Sequence, residues 1–280
     1  MTWAALAQWS PEPVPVLAAA AACFLYAAGR RSEGAPGQRV RWASRDSWFA
    51  SGLAVTLLAL VSPIAAYDTQ LQWDHMLQHV LLLIVAPPML LLGDCFGTVR
   101  RGVINLRGAQ AEKLLQPFDA SARWLHRSGA AAPLVLLLFS ADLLVWHIPA
   151  LYDATLSNDL LHDLEHTLFF ASGLLFWDQA IALSPGRRLS LAGRASLVLG
   201  AMIVSWVLAV IIGYASHPLY TYPIPVHGAL SALGDQQIAA GIMWVPGSAP
   251  FIIALVCFGI SWFESEERMA TELTPQAQLK

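Results

Sequence analysis

Two histidine pairs carry most of the chemistry that this chain can do. His75 and His79 are four residues apart, as are His162 and His166. Residues at i and i+4 share one helical face, one turn apart, so each pair presents two imidazoles in the same direction. Imidazole nitrogen suits copper, zinc and iron. Four such ligands from two helices, joined by His147 from a third, could surround one metal ion. Glu165 and Asp163 flank the second pair. A ligating histidine usually donates its other ring N–H to a carboxylate, which makes both candidates for that supporting role. Asp142, Asp235 and His217 are expected near the same level. Met76 and Met243 offer soft thioethers that suit Cu(I). Cys23, Cys95 and Cys257 lie far apart with no C-x-x-C, so there is no disulfide framework and no cysteine-built zinc site.

The elements that must position these residues follow from composition. The 280 residues are 56% apolar and only 12% charged, against about a quarter charged in soluble domains. A net charge of −3 and so apolar a composition exclude a disordered chain and a nucleic-acid binder. A bilayer-spanning helix needs about 20 mostly apolar residues. Seven stretches qualify, near 12–29, 47–66, 75–93, 131–148, 160–182, 195–214 and 235–262. The expected fold is therefore all-α: a polytopic membrane protein with a seven-transmembrane-helix bundle as one domain over 1–263. The 94–130 loop reads as cytoplasmic with a short interfacial helix, and 264–280 as a polar tail that frays. The first span has no basic segment before it, and Arg30 and Arg31 follow it, which is the pattern of a first helix rather than a signal peptide.

Lys and Arg collect in cytoplasmic loops. All 16 fall in the segments 30–46, 94–130 and 183–194 or in the tail, and the alternate connections hold none. That distribution places the N-terminus outside and the C-terminus in the cytoplasm. With this orientation only His126 lies on the cytoplasmic side. His75, His79, His147, His162, His166, His217 and His227 all fall at outer helix ends or in outer loops. Trp9, Trp73 and Trp146 then mark the outer interface, and Trp48, Trp177 and Trp262 the inner one. Asp142 sits inside the fourth span, where a charge is costly and points to function, although a hydrogen-bonded packing role fits too. Asp235 opens the last span, where a carboxylate also serves as a helix cap. Pro87 and Pro88 lie deep in the third span and should kink it.

Other chemistries compete. His162-Asp-Leu-Glu-His166 matches the inverted zinc-protease motif, with Glu165 as general base. A b-type haem held between His79 and His166 or His147 needs one histidine on each of two facing helices. Paired histidine boxes also occur in membrane di-iron enzymes, and a transporter would use intramembrane carboxylates and broken helices.

A longer set of blocks is more specific than any of these motifs. His75-Met-Leu-Gln-His79 is followed by Ala86-Pro-Pro88, then by Trp146-His-Ile-Pro-Ala-Leu-Tyr-Asp153 and by His162-Asp-Leu-Glu-His166 leading to Phe176-Trp177. His217-Pro-Leu-Tyr220 and Asp235-Gln-Gln-Ile-Ala-Ala-Gly-Ile-Met-Trp244 close the series. In this order, across roughly residues 60–250, the chain resembles the CtaG-type cytochrome c oxidase assembly family associated with caa-type oxidases. The resemblance implies a multi-pass protein of the bacterial inner membrane, not an enzyme, that helps mature a haem–copper oxidase. It implies copper supplied or inserted at the oxidase's catalytic centre, and the ligand set leads us to expect that copper as Cu(I), taken up at the periplasmic ends of spans three, four and five. Subunit I of the oxidase would then be the partner, and a periplasmic copper donor is a further expected one. The site residues themselves rest on spacing, not on the resemblance.

Overall fold

The computed structural model describes residues 9, 12–31, 39–128, 130–181, 189–222 and 230–277, so His227 lies outside the described residues. Every regular element among them is helical. Helix α1 (Pro13–Arg30) is followed by α2 (Arg39–Val61) and the short α3 (Pro63–Tyr67). The next stretch comprises α4 (Gln72–Val80), a π-helical turn (Leu81–Val85) and α5 (Ala86–Leu92). Then come α6 (Cys95–Arg107), α7 (Ala109–Arg127), α8 (Ala131–Trp146), the short α9 (Pro149–Thr155), α10 (Asp159–Ile181) and α11 (Leu191–Gly213). Helix α12 (Ala232–Trp244) passes through a 3₁₀ turn (Pro246–Ser248) into α13 (Ala249–Ala277). Helix α13 thus runs well past Glu264, where the sequence suggests a polar tail.

Among the described residues, five stretches are long and apolar enough to cross a membrane: 13–30, 44–67, 72–92, 191–213 and 232–268. A sixth is added if α7 and α8, bent by 103°, form one broken span. The expectation of seven is therefore met in part, for two physical reasons. Helix α8 has 16 residues, fewer than the roughly 20 that a full crossing uses. Helix α10 has 23 residues but carries Asp159, Asp163, Glu165 and Asp178. Segment 94–130 holds two helices rather than one. Gly108, at φ +61°, makes the turn between α6 and α7, a conformation that glycine adopts without strain. Helix α7 exposes Leu114, Phe118 and Trp124. Helix α6 instead packs on α1, where Gly29 and Gly102 meet backbone to backbone: a Cβ on Gly29 would lie 1.9 Å from the Thr98 carbonyl oxygen, and one on Gly102 1.9 Å from that of Leu25. Close approach through small residues is a usual way for membrane helices to associate.

The centre of the bundle is aromatic. Phe139 of α8 packs on Phe176 of α10 at 4.6 Å between ring centroids, and Trp177 stacks on Phe251 of α13 at 5.5 Å. Trp146 and Trp177 are both buried, so neither serves as an interfacial belt residue. One end of the bundle carries Arg30, Arg101 and Arg194. There Arg30 pairs with Asp46 at 2.8 Å, Arg101 with Asp94 at 3.0 Å, and Arg194 donates to the carbonyls of Ala180 and Ile181. His126 meets Asp178 at 2.8 Å at this same end. The histidine pairs lie at the opposite ends of α4 and α10.

The double proline in the third stretch has a specific consequence. Pro87 and Pro88 have no N–H, so the carbonyls of Leu83 and Ile84 lose their usual i+4 donors. The chain responds with the π turn, in which the Ala86 N–H bonds to the Leu81 carbonyl, and π turns concentrate at functional sites. Helix α10 fits against the disrupted ridge through Gly173, where a Cβ would come within 2.4 Å of the Leu83 carbonyl oxygen and 3.0 Å of Pro87 Cγ. This contact fixes α10 against the stretch that carries His75 and His79.

Candidate metal centre

Helix α4 is set in place from the far side of the bundle. Its first N–H groups have no partner within the helix, and Asp235 of α12 supplies both. Oδ2 accepts from Gln72 N at 2.9 Å and Oδ1 from Trp73 N at 3.0 Å. Ser231 caps α12 in turn through Gly234 N at 3.0 Å, and Asn158 caps α10 through Leu161 N at 3.1 Å. Gln78 of α4 donates to the Ala59 carbonyl of α2 at 2.9 Å. With α4 held in this way, the His75 and His79 side chains point to α10 and are buried. Asp235→Ala leaves two helix N–H groups unpaired. It is expected to destabilise the protein by about 1–3 kcal/mol, read as a lower melting midpoint in detergent, while every ligand candidate stays in place.

The five expected histidines converge. The rings of His75 and His79 are 4.2 Å apart, those of His162 and His166 4.2 Å, and those of His75 and His162 4.9 Å, between centroids. His166 lies 5.6 Å from His79, and His147 6.2 Å from His79. Glu165 is fully buried among them. Its Oε1 is 3.5 Å from His79 Nε2 and its Oε2 is 3.5 Å from His75 Nε2. Ligand atoms of His75, His79 and His166 all lie within 4.8 Å of one another, as do those of His75, His162 and Glu165. Glu165 therefore faces the same centre as the histidines rather than standing behind them.

The donors have few partners of their own. Both ring nitrogens of His75 and of His79 are buried without a hydrogen bond, as are Nε2 of His147, His162 and His166 and both oxygens of Glu165. Buried polar groups are normally satisfied, so this many orphans around one point make it a candidate cation site. His147 is also oriented: its Nδ1 lies 2.7 Å from the Leu143 carbonyl. A nitrogen facing a carbonyl must carry the proton, which leaves Nε2 with its lone pair free for a ligand.

The remaining sequence candidates have other roles. Asp142 accepts from Trp146 Nε1 at 3.0 Å and from the Ser172 hydroxyl at 2.5 Å, so it ties α8 to α10. Asp235 caps α4, as described. Met76 and Met243 are buried in the apolar core. His217 is exposed, with its ring against the Pro218 carbonyl.

Four residues without a spacing signal join the site. Asp68, between α3 and α4, lies 3.9 Å from His162. Burial pushes its carboxyl up to about 6, against the opposing pull of His75. Tyr152 of α9 stacks on His75 at 5.0 Å, and its hydroxyl meets that of Tyr222 at 3.0 Å. Tyr220 donates to the His147 carbonyl at 3.1 Å. Burial raises the phenols of Tyr152 and Tyr222 well above their ordinary range, so they remain hydrogen-bond donors. Asp153 accepts from the Thr221 N–H and hydroxyl, which fastens the 219–222 segment to α9 as a cover over the histidines. The block Trp146–Asp153 contains Tyr152 and Asp153, but nothing in its spacing shows that α9 folds back over His75. Phe169 packs against His79 at 4.5 Å between ring centroids.

Residues 22–265 match the sequence model of the cytochrome c oxidase caa3 assembly factor family. The chain belongs to that family. Among curated proteins, an uncharacterized protein of Mycobacterium bovis and one of Mycobacterium tuberculosis are each 24% identical over 265 residues. That covers 88% of this chain and 38% of each relative. An uncharacterized protein of Mycobacterium leprae is 24% identical over 231 residues, covering 79% of this chain and 34% of the relative. The chain thus spans under two fifths of the length of these relatives. No solved structure matches it.

Proposed function

We propose that this family member binds copper at the centre built from His75, His79, His147, His162, His166 and Glu165 and passes it to a haem–copper cytochrome c oxidase during assembly. The observation that carries this reading is the set of buried, unpartnered imidazole nitrogens and carboxylate oxygens gathered at one point. Imidazole with carboxylate suits a borderline cation such as copper. The absence of thiolate from this donor set leaves the ion held moderately, which favours handing it on. The role is one of assembly rather than catalysis, and the oxidase subunit that houses the copper is the proposed recipient.

The placement is also part of the proposal. Helices α8 and α10 would cross the membrane within the bundle, giving seven passages. The histidine end would face the periplasm of a bacterial inner membrane and the basic end the cytoplasm. The separation of the histidine pairs and the Lys and Arg residues to opposite helix ends supports this orientation.

The test is anaerobic copper titration of the purified chain beside its His79→Ala and His166→Ala variants. Each variant is expected to bind at least about tenfold more weakly, since losing a group one shell further out already costs roughly 10–100-fold. Equal affinities in all three proteins overturn the reading. In cells, deletion of the protein is expected to leave the oxidase assembled but short of copper.

A further inference from the structure

The centre offers more donors than one ion can use. A tetrahedral site takes four ligands, whereas five histidines, Glu165 and Asp68 all converge here. They divide into two groups. The inner group is His79 and His166, with His147 next to His79. The outer group is His162 with Asp68 at 3.9 Å, and His75 lies within ligand distance of both groups.

Glu165 sits between the groups with one oxygen turned to each. Oε1 is 3.5 Å from the inner His79 and Oε2 is 3.5 Å from His75 on the outer side. Two donors on one tetrahedral ion, each about 2.0–2.1 Å from the metal, stand slightly over 3 Å apart. Each of these 3.5 Å pairs therefore suits joint ligation of its own ion. A carboxylate facing two nitrogens in this way is placed to bridge two ions, and bridged metal pairs lie about 3.5–4 Å apart.

We infer that the site binds a pair of copper ions bridged by Glu165. The inner ion is held by His79 and His166, with His147 beside His79, and the outer one by His75 and His162, with Asp68 beside His162. The outer ion is the more accessible of the two, because the side chains of His162 and Asp68 keep 13% and 10% of their exposure while His79, His147 and His166 are buried. The inference rests on the copper-binding reading above but adds a stoichiometry that a single-ion site does not share.

The experiment uses the full chain in lipid nanodiscs, dialysed to saturation against copper(II) sulfate. Bound metal is measured by elemental analysis and paramagnetic copper by quantitative electron paramagnetic resonance. The bridged pair predicts two coppers per chain and a resonance intensity well below total copper, because the two spins couple through the carboxylate. His162→Ala should retain one copper with full uncoupled intensity. One copper per chain at full intensity in the unaltered protein overturns the pair and leaves the single-ion reading standing. Two coppers with uncoupled spins also overturn it. No bound copper in the unaltered protein overturns both readings at once.

Discussion

Exchanging Glu165 for glutamine is expected to reverse the order of stability between the metal-free and copper-loaded protein. Without a cation, Glu165 is a fully buried carboxylate whose nearest donors, at 3.5 Å, are too distant for good hydrogen bonds. An unsatisfied buried polar group costs about 1–3 kcal/mol, and more when charged. Glutamine keeps the volume and removes the charge, so the metal-free variant should melt at or above the unaltered protein. Copper changes the sign. At a concentration 100 times its dissociation constant, a ligand that binds only the folded state adds about 2.7 kcal/mol. If the variant binds 100-fold more weakly, the same copper adds only about 0.4 kcal/mol to it. Melting curves of both proteins with and without copper should therefore cross in rank. Equal copper-induced shifts would remove Glu165 from the site.

The second large effect falls at a residue that touches no ligand. Gly173→Val places a branched side chain where even a Cβ would lie 2.4 Å from the Leu83 carbonyl oxygen. Backbone cannot give way as a flexible side chain does. Overpacking of this kind costs typically about 1–3 kcal/mol and occasionally more. Relief comes by moving α10 away from the π turn, and α10 carries His162, Glu165 and His166. The expected outcome is a much reduced yield of monodisperse protein, with copper binding lost in what remains. Gly29→Val is the comparison. It clashes as severely, but with Thr98 at the α1–α6 crossing, at the basic end. Protein that survives this change should keep its copper. If Gly173→Val yields normal protein with normal copper binding, the tight α10 contact does not position the site.

The sequence specified a helical membrane protein because nearly every stretch of the chain is either a long apolar run or a basic connection. It also specified the histidine pairs, since an i, i+4 spacing on a helix leaves two side chains no choice but to share a face. Its count of spans exceeded what length and apolarity support, because α8 is short and α10 pays for its site with carboxylates. Asp142 and Asp235 drew attention correctly as costly charges, but both serve neighbouring helices: one ties α8 to α10 and the other caps α4.

Sequence by itself determined the composition class, the segregation of Lys and Arg from histidine, and the pairing of ligands within each helix. Only the tertiary structure decided that the pairs face one another. It turned Glu165 inward with one oxygen to His75 and the other to His79, brought Asp68 to His162, and folded Tyr152 over His75. Spacing along a helix is a property of the backbone and is written locally. Convergence depends on how helices distant in sequence approach, and here that approach is set by a glycine against the Leu83 carbonyl that Pro87 released, a contact made only when the bundle is packed.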